Sequence, residues 1–290
     1  VSTHENHPAH LRSVAETLAG EGAAFVRRRR PEVFGSGVRA GDGDAVRTKT
    51  TPTDPVTIVD TETERVLRDR LAQLRSGDPI LGEEGGGPAD PTANAAADTV
   101  TWVLDPIDGT VNFVYGIPAY AVSVAAQIDG VSVAGAVADV VAGQVYSAGA
   151  GLGAHLTDEH GSRQLRCTAV DDLSVALLGT GFAYSRQRRT AQAALLARML
   201  PAVRDVRRIG SAALDLCMVA AGRLDAYYEH GINVWDCAAG ALIAAEAGAR
   251  VVFPEPGARA VDLVVAAAPG IADELLAALK RFDGLAPIPG

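Results

Sequence analysis

Cysteine is scarce in this 290-residue chain, and the three present, Cys167, Cys217 and Cys237, stand far apart. That excludes a disulfide framework and a structural zinc site. Basic charge is also short: 26 Lys plus Arg face 35 Asp plus Glu, a formal net charge of −9. The chain therefore lacks the electrostatic footprint of a duplex nucleic-acid binder. Its one basic cluster, RRRR at 27–30, reads as the solvated end of a helix. Long apolar runs are missing too. Asp129 and Asp139 interrupt the longest candidate, short of the ~18 residues a membrane span needs. The opening VSTHENHPAH has no apolar core and does not read as a secretory signal. These absences predict a soluble, cytoplasmic protein. What is plentiful is core material, with 48% of residues hydrophobic, enough to exclude global disorder.

Leu11, Val14, Leu18 and Phe25 have helical spacing, predicting a helix over 11–30, followed by a Gly-rich connection over 31–48. PVTIVD (55–60) reads as a short strand. TETERVLRDRLAQL (61–74) reads as a helix, with Thr61 and Glu64 at capping-box spacing. PILGEE (79–84) is a strand ending in acids, 85–99 a loop, and TVTWVLD (99–105) the next strand. AVSVAAQI and VSVAGAV flank Asp129-Gly130, a strong hairpin signal. Further β runs around 140–143 and at VYSAGA (145–150) extend an antiparallel meander. GAGLG (149–153) is a turn rather than a phosphate loop, because no helix opens after it.

From SVALLGTGF (174–182) onward, strands alternate with Ala/Leu-rich helices, ending in VDLVVAAA (261–268) and IADELLAALKRF (271–282). A meander half followed by an alternating half predicts a mixed α/β (α+β) fold of two packed subdomains, 1–163 and 164–290. His230 is expected to be structural. Trp102 and Trp235 are expected to pack the two subdomains beneath a cleft.

Acids recur where apolar strands give way to loops or helices: Asp60, Glu83 with Glu84, Asp105 with Asp108, and Asp236. Singly, each has a bland reading as a helix cap, a turn or a solvated loop. Together they are harder to dismiss. Pro106 holds Asp105 extended, and Asp108 follows closely enough for both carboxylates to face one cleft. Several ionised carboxylates at close quarters need cations. Oxygen donors without nearby His or Cys favour magnesium or manganese over zinc. If VNF (111–113) begins a helical turn, the Gly109 and Thr110 amides form an anion site beside the acids. Cations beside a phosphate site describe two-metal phosphate-ester hydrolysis.

DPIDGTVNF (105–113), GEE (82–84), DPVTIVD (54–60), RRIGSAALDLCMVAAGRLDAYYEHG (207–231) and WDCAAGALIAAEAG (235–248) together resemble the inositol monophosphatase family, in order and over nearly the whole chain. The closest likeness is to its bacterial, actinobacterial-type members. The resemblance implies a layered α-β-α-β-α sandwich of the inositol monophosphatase and fructose-1,6-bisphosphatase type. It further implies a cytoplasmic homodimer with two or three magnesium ions, manganese as a substitute, and inhibition by lithium. By the same resemblance, Glu83, Asp105 and the Ile107 carbonyl would hold one metal. Asp105, Asp108 and Asp236 would hold a second, and Glu83 would help with a third. Thr110 bonded to Asp60 would activate water. Gly109 and Thr110 would bind phosphate, while Arg207, Ser211, Ala212, Glu229 and Asp236 would line the ring side, with Glu83 also near substrate. Lys49 would sit on a lid over 31–48.

The implied substrate is a small phosphorylated polyol, myo-inositol 1-phosphate first. The alternatives are histidinol phosphate or fructose 1,6-bisphosphate on the same metals, or a binding protein that contacts the transcription machinery.

Overall fold

The computed structural model describes residues 5–35, 46–49, 55–87, 99–253 and 260–288. The expected lid falls largely outside them, as residues 36–45 are not described, and so does most of the expected 85–99 loop.

The first apolar stripe builds α1 (Pro8–Phe34), which buries Leu11, Val14, Leu18 and Val26. The helix continues through the arginine run, and that run is not merely a solvated end. Arg27 Nε donates to the Val140 carbonyl at 2.8 Å, Arg29 pairs with Glu62, and Arg30 Nε donates to the Phe113 carbonyl at 3.0 Å. Planar guanidiniums with several donors here rivet α1 to its neighbours.

Residues 55–60 are not one strand. β1 (Val46–Thr48) pairs with β2 (Pro55–Thr57), and α2 (Ile58–Leu74) starts immediately after. The capping box is Thr57 with Asp60 rather than Thr61 with Glu64. Threonine followed by an acid three residues later occurs twice in TIVDTETE, and the earlier pair caps. Asp60 therefore lies in the first turn of a helix, where its charge also suits the helix dipole.

A seven-stranded sheet follows, in the spatial order β3-β4-β5-β6-β7-β8-β9. β3 (Ile80–Gly82) runs parallel to β4 (Val100–Asp108), after which comes the short helix α3 (Thr110–Tyr115). β5 (Ala121–Ile128), β6 (Val131–Asp139), β7 (Gln144–Gly149), β8 (Ala154–Asp158) and β9 (Gly161–Gln164) extend the sheet as an antiparallel meander. Asp129 and Gly130 have φ of 50° and 76°, the left-handed pair a two-residue hairpin turn requires. Residues 140–143 are a turn rather than a strand, because Asp139 Oδ1 captures the Val141 and Ala142 amides. The GAGLG stretch is a turn, and its Gly151 and Gly153 amides bind the Glu246 carboxylate at 2.8 Å each.

The second sheet has the order β11-β10-β12-β16-β14. Its strands are β10 (Leu177–Thr180), β11 (Asp205–Arg207), β12 (Ala226–Glu229), β14 (Arg250–Val252) and β16 (Val264–Ala267); β13 (Ile232–Asn233) and β15 (Ala260–Val261) form a separate ribbon. Four helices accompany it: α4 (Arg186–Met199), α5 (Ala212–Ala220), α6 (Val234–Glu246) and α7 (Ala272–Arg281).

Strand alternation explains the layers. One face of the large sheet packs Trp102, Leu104 and Val122 against α1 and α2; the other packs Val103, Ala125 and Val137 against α5 and α6. The second sheet repeats the arrangement. Tyr227, Val264 and Ala266 face α5 and α6, whereas Tyr228, Val265 and Ala267 face α4 and α7. The result is the expected five layers, helices, sheet, helices, sheet, helices. Trp102 lies in the outermost of these interfaces, its Nε1 donating to Asp78 Oδ2 at 2.9 Å, so it does not pack between the halves.

Candidate metal and phosphate site

In a regular strand, residues three apart face opposite ways. β4 breaks that rule. Asp105 pairs with Ser123 and Asp108 with Ala121, so three steps along β4 match two along β5. The extra residue is a β-bulge. It brings both carboxylates to one side of the sheet, where Asp236 joins them from the first turn of α6. One oxygen from each of the three lies within 4.8 Å of the others. None of them has an ion-pair partner among the described residues.

Each acid is held separately. Asp105 Oδ1 accepts the Ile107 amide at 3.0 Å, and Asp236 Oδ2 accepts the Asn233 amide at 2.6 Å. Asp108 Oδ2 accepts the Ser211 hydroxyl at 2.6 Å and the Ala213 amide at 2.7 Å. Hydrogen bonds to a charged acceptor contribute about 1.5–3 kcal/mol each, yet burial dominates. It pushes the Asp108 pKa up to about 6 despite the Ser211 and backbone donors. Burial, then neighbouring acids, hold Asp105 and Asp236 well above the ordinary carboxylate range. The cluster is thus short of positive charge, and its donors are all oxygen.

Glu83 leaves β3 on a tight turn. Lys49 Nζ bridges Glu83 and Glu84 at 2.7 and 2.5 Å. Burial pulls the Lys49 pKa down, but the two acids more than offset it and leave it raised. The turn itself is clamped by Glu64, freed from any capping role. Its carboxylate accepts the Glu84 and Gly85 amides at 2.7 and 2.8 Å and pairs with Arg68.

Thr110 opens α3. Gly109 before it has φ 94°, and an added Cβ there would lie 3.0 Å from the Ala119 carbonyl and 3.1 Å from that of Gly210. The Thr110 hydroxyl lies 3.1 Å from Asp60 Oδ1 and 3.0 Å from the Ile107 carbonyl. Asp60 is fully buried and also accepts the Thr57 amide at 2.9 Å. Burial first, then Glu83, raises its pKa to about 7.

Lys49, Glu83, Asp105, Asp108, Thr110 and Asp236 border a cleft of about 510 Å³, whose far wall includes Gly181, Arg188, Arg208, Glu229 and Trp235. Glu229 is bonded to the Tyr227 hydroxyl, and burial raises its pKa to about 7. Most residues expected at the site converge here, but Asp60, Arg207 and Ser211 lie outside the lining. Arg207 does not line the cleft: it ends β11, exposed and paired with Asp205 at 2.6 Å, and its neighbour Arg208 faces the cleft instead. Ser211 stands behind Asp108 rather than in the lining. Trp235 packs against the core shared by the large sheet and α5–α6, as expected, and also borders the cleft, while His230 is buried with a ring nitrogen 2.8 Å from the Gly284 carbonyl.

The sequence profile of the Inositol monophosphatase family matches residues 7–283. The chain belongs to the inositol monophosphatase family. A relative from Mycobacterium leprae, named inositol-1-monophosphatase, is 77% identical over 286 residues, covering 98% of each chain. The solved structure of Mycobacterium tuberculosis SuhB superposes with a TM-score of 0.81 at 68% identity, over 97% of this chain and 100% of that one. A Pasteurella multocida relative named Nus factor SuhB is 36% identical over 252 residues, 86% of this chain and 91% of that one. This inositol monophosphatase family member is a phosphoric monoester hydrolase of a metal-dependent family, and Asp105, Asp108 and Asp236 form a carboxylate cluster able to bind the metal.

Sequence reasoning missed Glu64, Arg188 and Gly181. The only signal for Glu64 was the second Thr-x-x-acid, which pointed to a cap.

Proposed function

We propose that this chain hydrolyses myo-inositol 1-phosphate to myo-inositol and phosphate, using magnesium. One juxtaposition carries the reading: Asp105, Asp108 and Asp236, without cationic partners among the described residues, line one cleft with Thr110, whose hydroxyl donates to the buried Asp60. Oxygen-only donors fit a hard divalent ion. Glu83, Asp105 and the Ile107 carbonyl would hold one ion, and Asp105, Asp108 and Asp236 a second. Glu83 would help with a weaker third, and manganese would substitute. Bound there, the ions supply positive charge for the phosphate and Lewis acidity toward the water and the leaving oxygen.

The chain's own residues do the rest. Thr110 spends its proton on Asp60 and the Ile107 carbonyl, so its lone pairs are left to accept from the attacking water and orient it. The proton released by that water is held at the Thr110–Asp60 pair. Gly109 and Thr110 amides receive the phosphate, while Ala212, Glu229 and Asp236 face the polyol. The names of the relatives above 75% identity support inositol 1-phosphate as the ester. The reading includes a homodimer in the cytoplasm and inhibition by lithium. A transcription-related role, suggested by the Pasteurella relative's name, stands second, because an intact carboxylate cluster weighs for hydrolysis.

The test is phosphate release in magnesium from inositol 1-phosphate and from histidinol phosphate, with lithium as a challenge. Preference for inositol 1-phosphate, lost with a chelator and inhibited by lithium, is expected. Preference for histidinol phosphate would overturn the substrate and keep the site. Release from neither would move the binding role to the front.

A further inference from the structure

The far wall of the cleft holds a feature the hydrolytic reading leaves unused. Arg188 and Arg208 both line it, and neither guanidinium forms an ion pair or hydrogen bond among the described residues. Arg188 Nε is buried without a partner. A guanidinium normally compensates such burial with a carboxylate or carbonyl.

Both are placed where only glycine makes room. A Cβ on Gly231 (φ 72°) would lie 2.5 Å from an Arg188 terminal nitrogen; one on Gly210 (φ 96°) would lie 2.4 Å from an Arg208 terminal nitrogen. Nor does α4 gain from the charge. Its first turn carries no acid, and Arg186, Arg188 and Arg189 all stand at the end where a helix dipole disfavours cations. Arg189 at least bonds the Ala183 carbonyl at 2.9 Å; Arg188 has no such task.

We infer that Arg188 and Arg208 form a second anion subsite, which receives a second phosphate on the ring of an inositol-phosphate substrate while the carboxylate cluster handles the phosphate being cleaved. Two forked guanidiniums match a phosphate dianion by charge and by donor geometry. The inference rests on the hydrolase reading only for which phosphate is cleaved.

The experiment compares inositol 1-phosphate with inositol 1,4-bisphosphate, which keeps the ring constant, in the wild type, Arg188→Gln and Arg188→Lys. The expected result is a KM for the bisphosphate about tenfold below that for the monophosphate in the wild type, as charge-assisted hydrogen bonds allow. Arg188→Gln should abolish that advantage while leaving monophosphate kinetics within about twofold, and Arg188→Lys, with charge but no fork, should restore part of it. Equal KM values in the wild type, or equal losses on both esters in Arg188→Gln, would overturn the subsite. Turnover of the bisphosphate alone would overturn inositol 1-phosphate as substrate and support the subsite. If neither ester is hydrolysed, the hydrolase reading fails and calorimetry with the bisphosphate decides the subsite: equal affinity for wild type and Arg188→Gln overturns it.

Discussion

The two sheets supply unlike walls to one cleft. The seven-stranded sheet supplies charge: a bulge turns Asp105 and Asp108 the same way, and a clamped turn offers Glu83. The five-stranded sheet supplies room. Gly181 follows β10 beside Glu229, and its missing side chain is what lets that carboxylate in. Charge has to be held from several directions, so the acid wall is over-determined by hydrogen bonds. Room needs only absent atoms, so the glycine-lined wall can change its shape without touching the acids.

That contrast can be broken most severely on the acid side. Asp108→Asn should lower kcat by at least about a thousandfold, since metal-assisted charge stabilisation is worth several kcal/mol, with the melting temperature close to wild type. Near-normal turnover would remove Asp108 from the metal site. Thr110→Ala should lower kcat about 10²–10⁴-fold, the range for a lost acid–base contribution, with KM little changed. A change confined to KM would place Thr110 in binding instead.

On the glycine-lined wall the effect should be selective. A Cβ at Gly181 would lie 1.9 Å from a Glu229 oxygen. Gly181→Ala should therefore reduce kcat/KM for inositol 1-phosphate about tenfold and spare glycerol 2-phosphate, which has no ring. Equal losses on both esters would mean that the substitution disturbs the acid wall too.

The smallest effect is on stability. Burial raises the folded pKa of Asp60 to about 7 and of Asp108 to about 6, and raises Asp105 and Asp236 as well. Between the ordinary carboxylate pKa near 4 and about pH 7, the folded chain keeps protons that the unfolded chain has lost. The metal-free protein should therefore lose stability as pH rises through that window. Magnesium should raise the melting temperature more at pH 7 than at pH 5. A flat profile without metal would mean that the acids are not crowded as described.

Much of this could be read from the residues, and the failures have physical causes. The Asp129-Gly130 hairpin was legible because φ above zero at two successive residues leaves few choices of residue. Asp105 and Asp108 were legible because a proline between two acids at a strand end has little structural use. The start of α2 was hidden: Val56, Ile58 and Val59 favour strands, and two Thr-x-x-acid pairs compete, of which Thr57 with Asp60 caps the helix that begins at Ile58. Arg207 and Arg208 are adjacent, and which one faces the cleft depends on the register of β11 against β10, which no local pattern states. Arg188 lies in a helix whose composition looks merely solvated.

Asp108 belongs to β4, yet the groups that clasp its carboxylate come 103 and 105 residues later, from Ser211 and Ala213. Order of synthesis therefore matters. A nascent chain can lay down its meander while the acids beside it remain loose, mutually repelling and idle. Only when α5 and then Asp236 have left the ribosome and docked is there a centre to load with metal, so an unfinished chain is an inactive one.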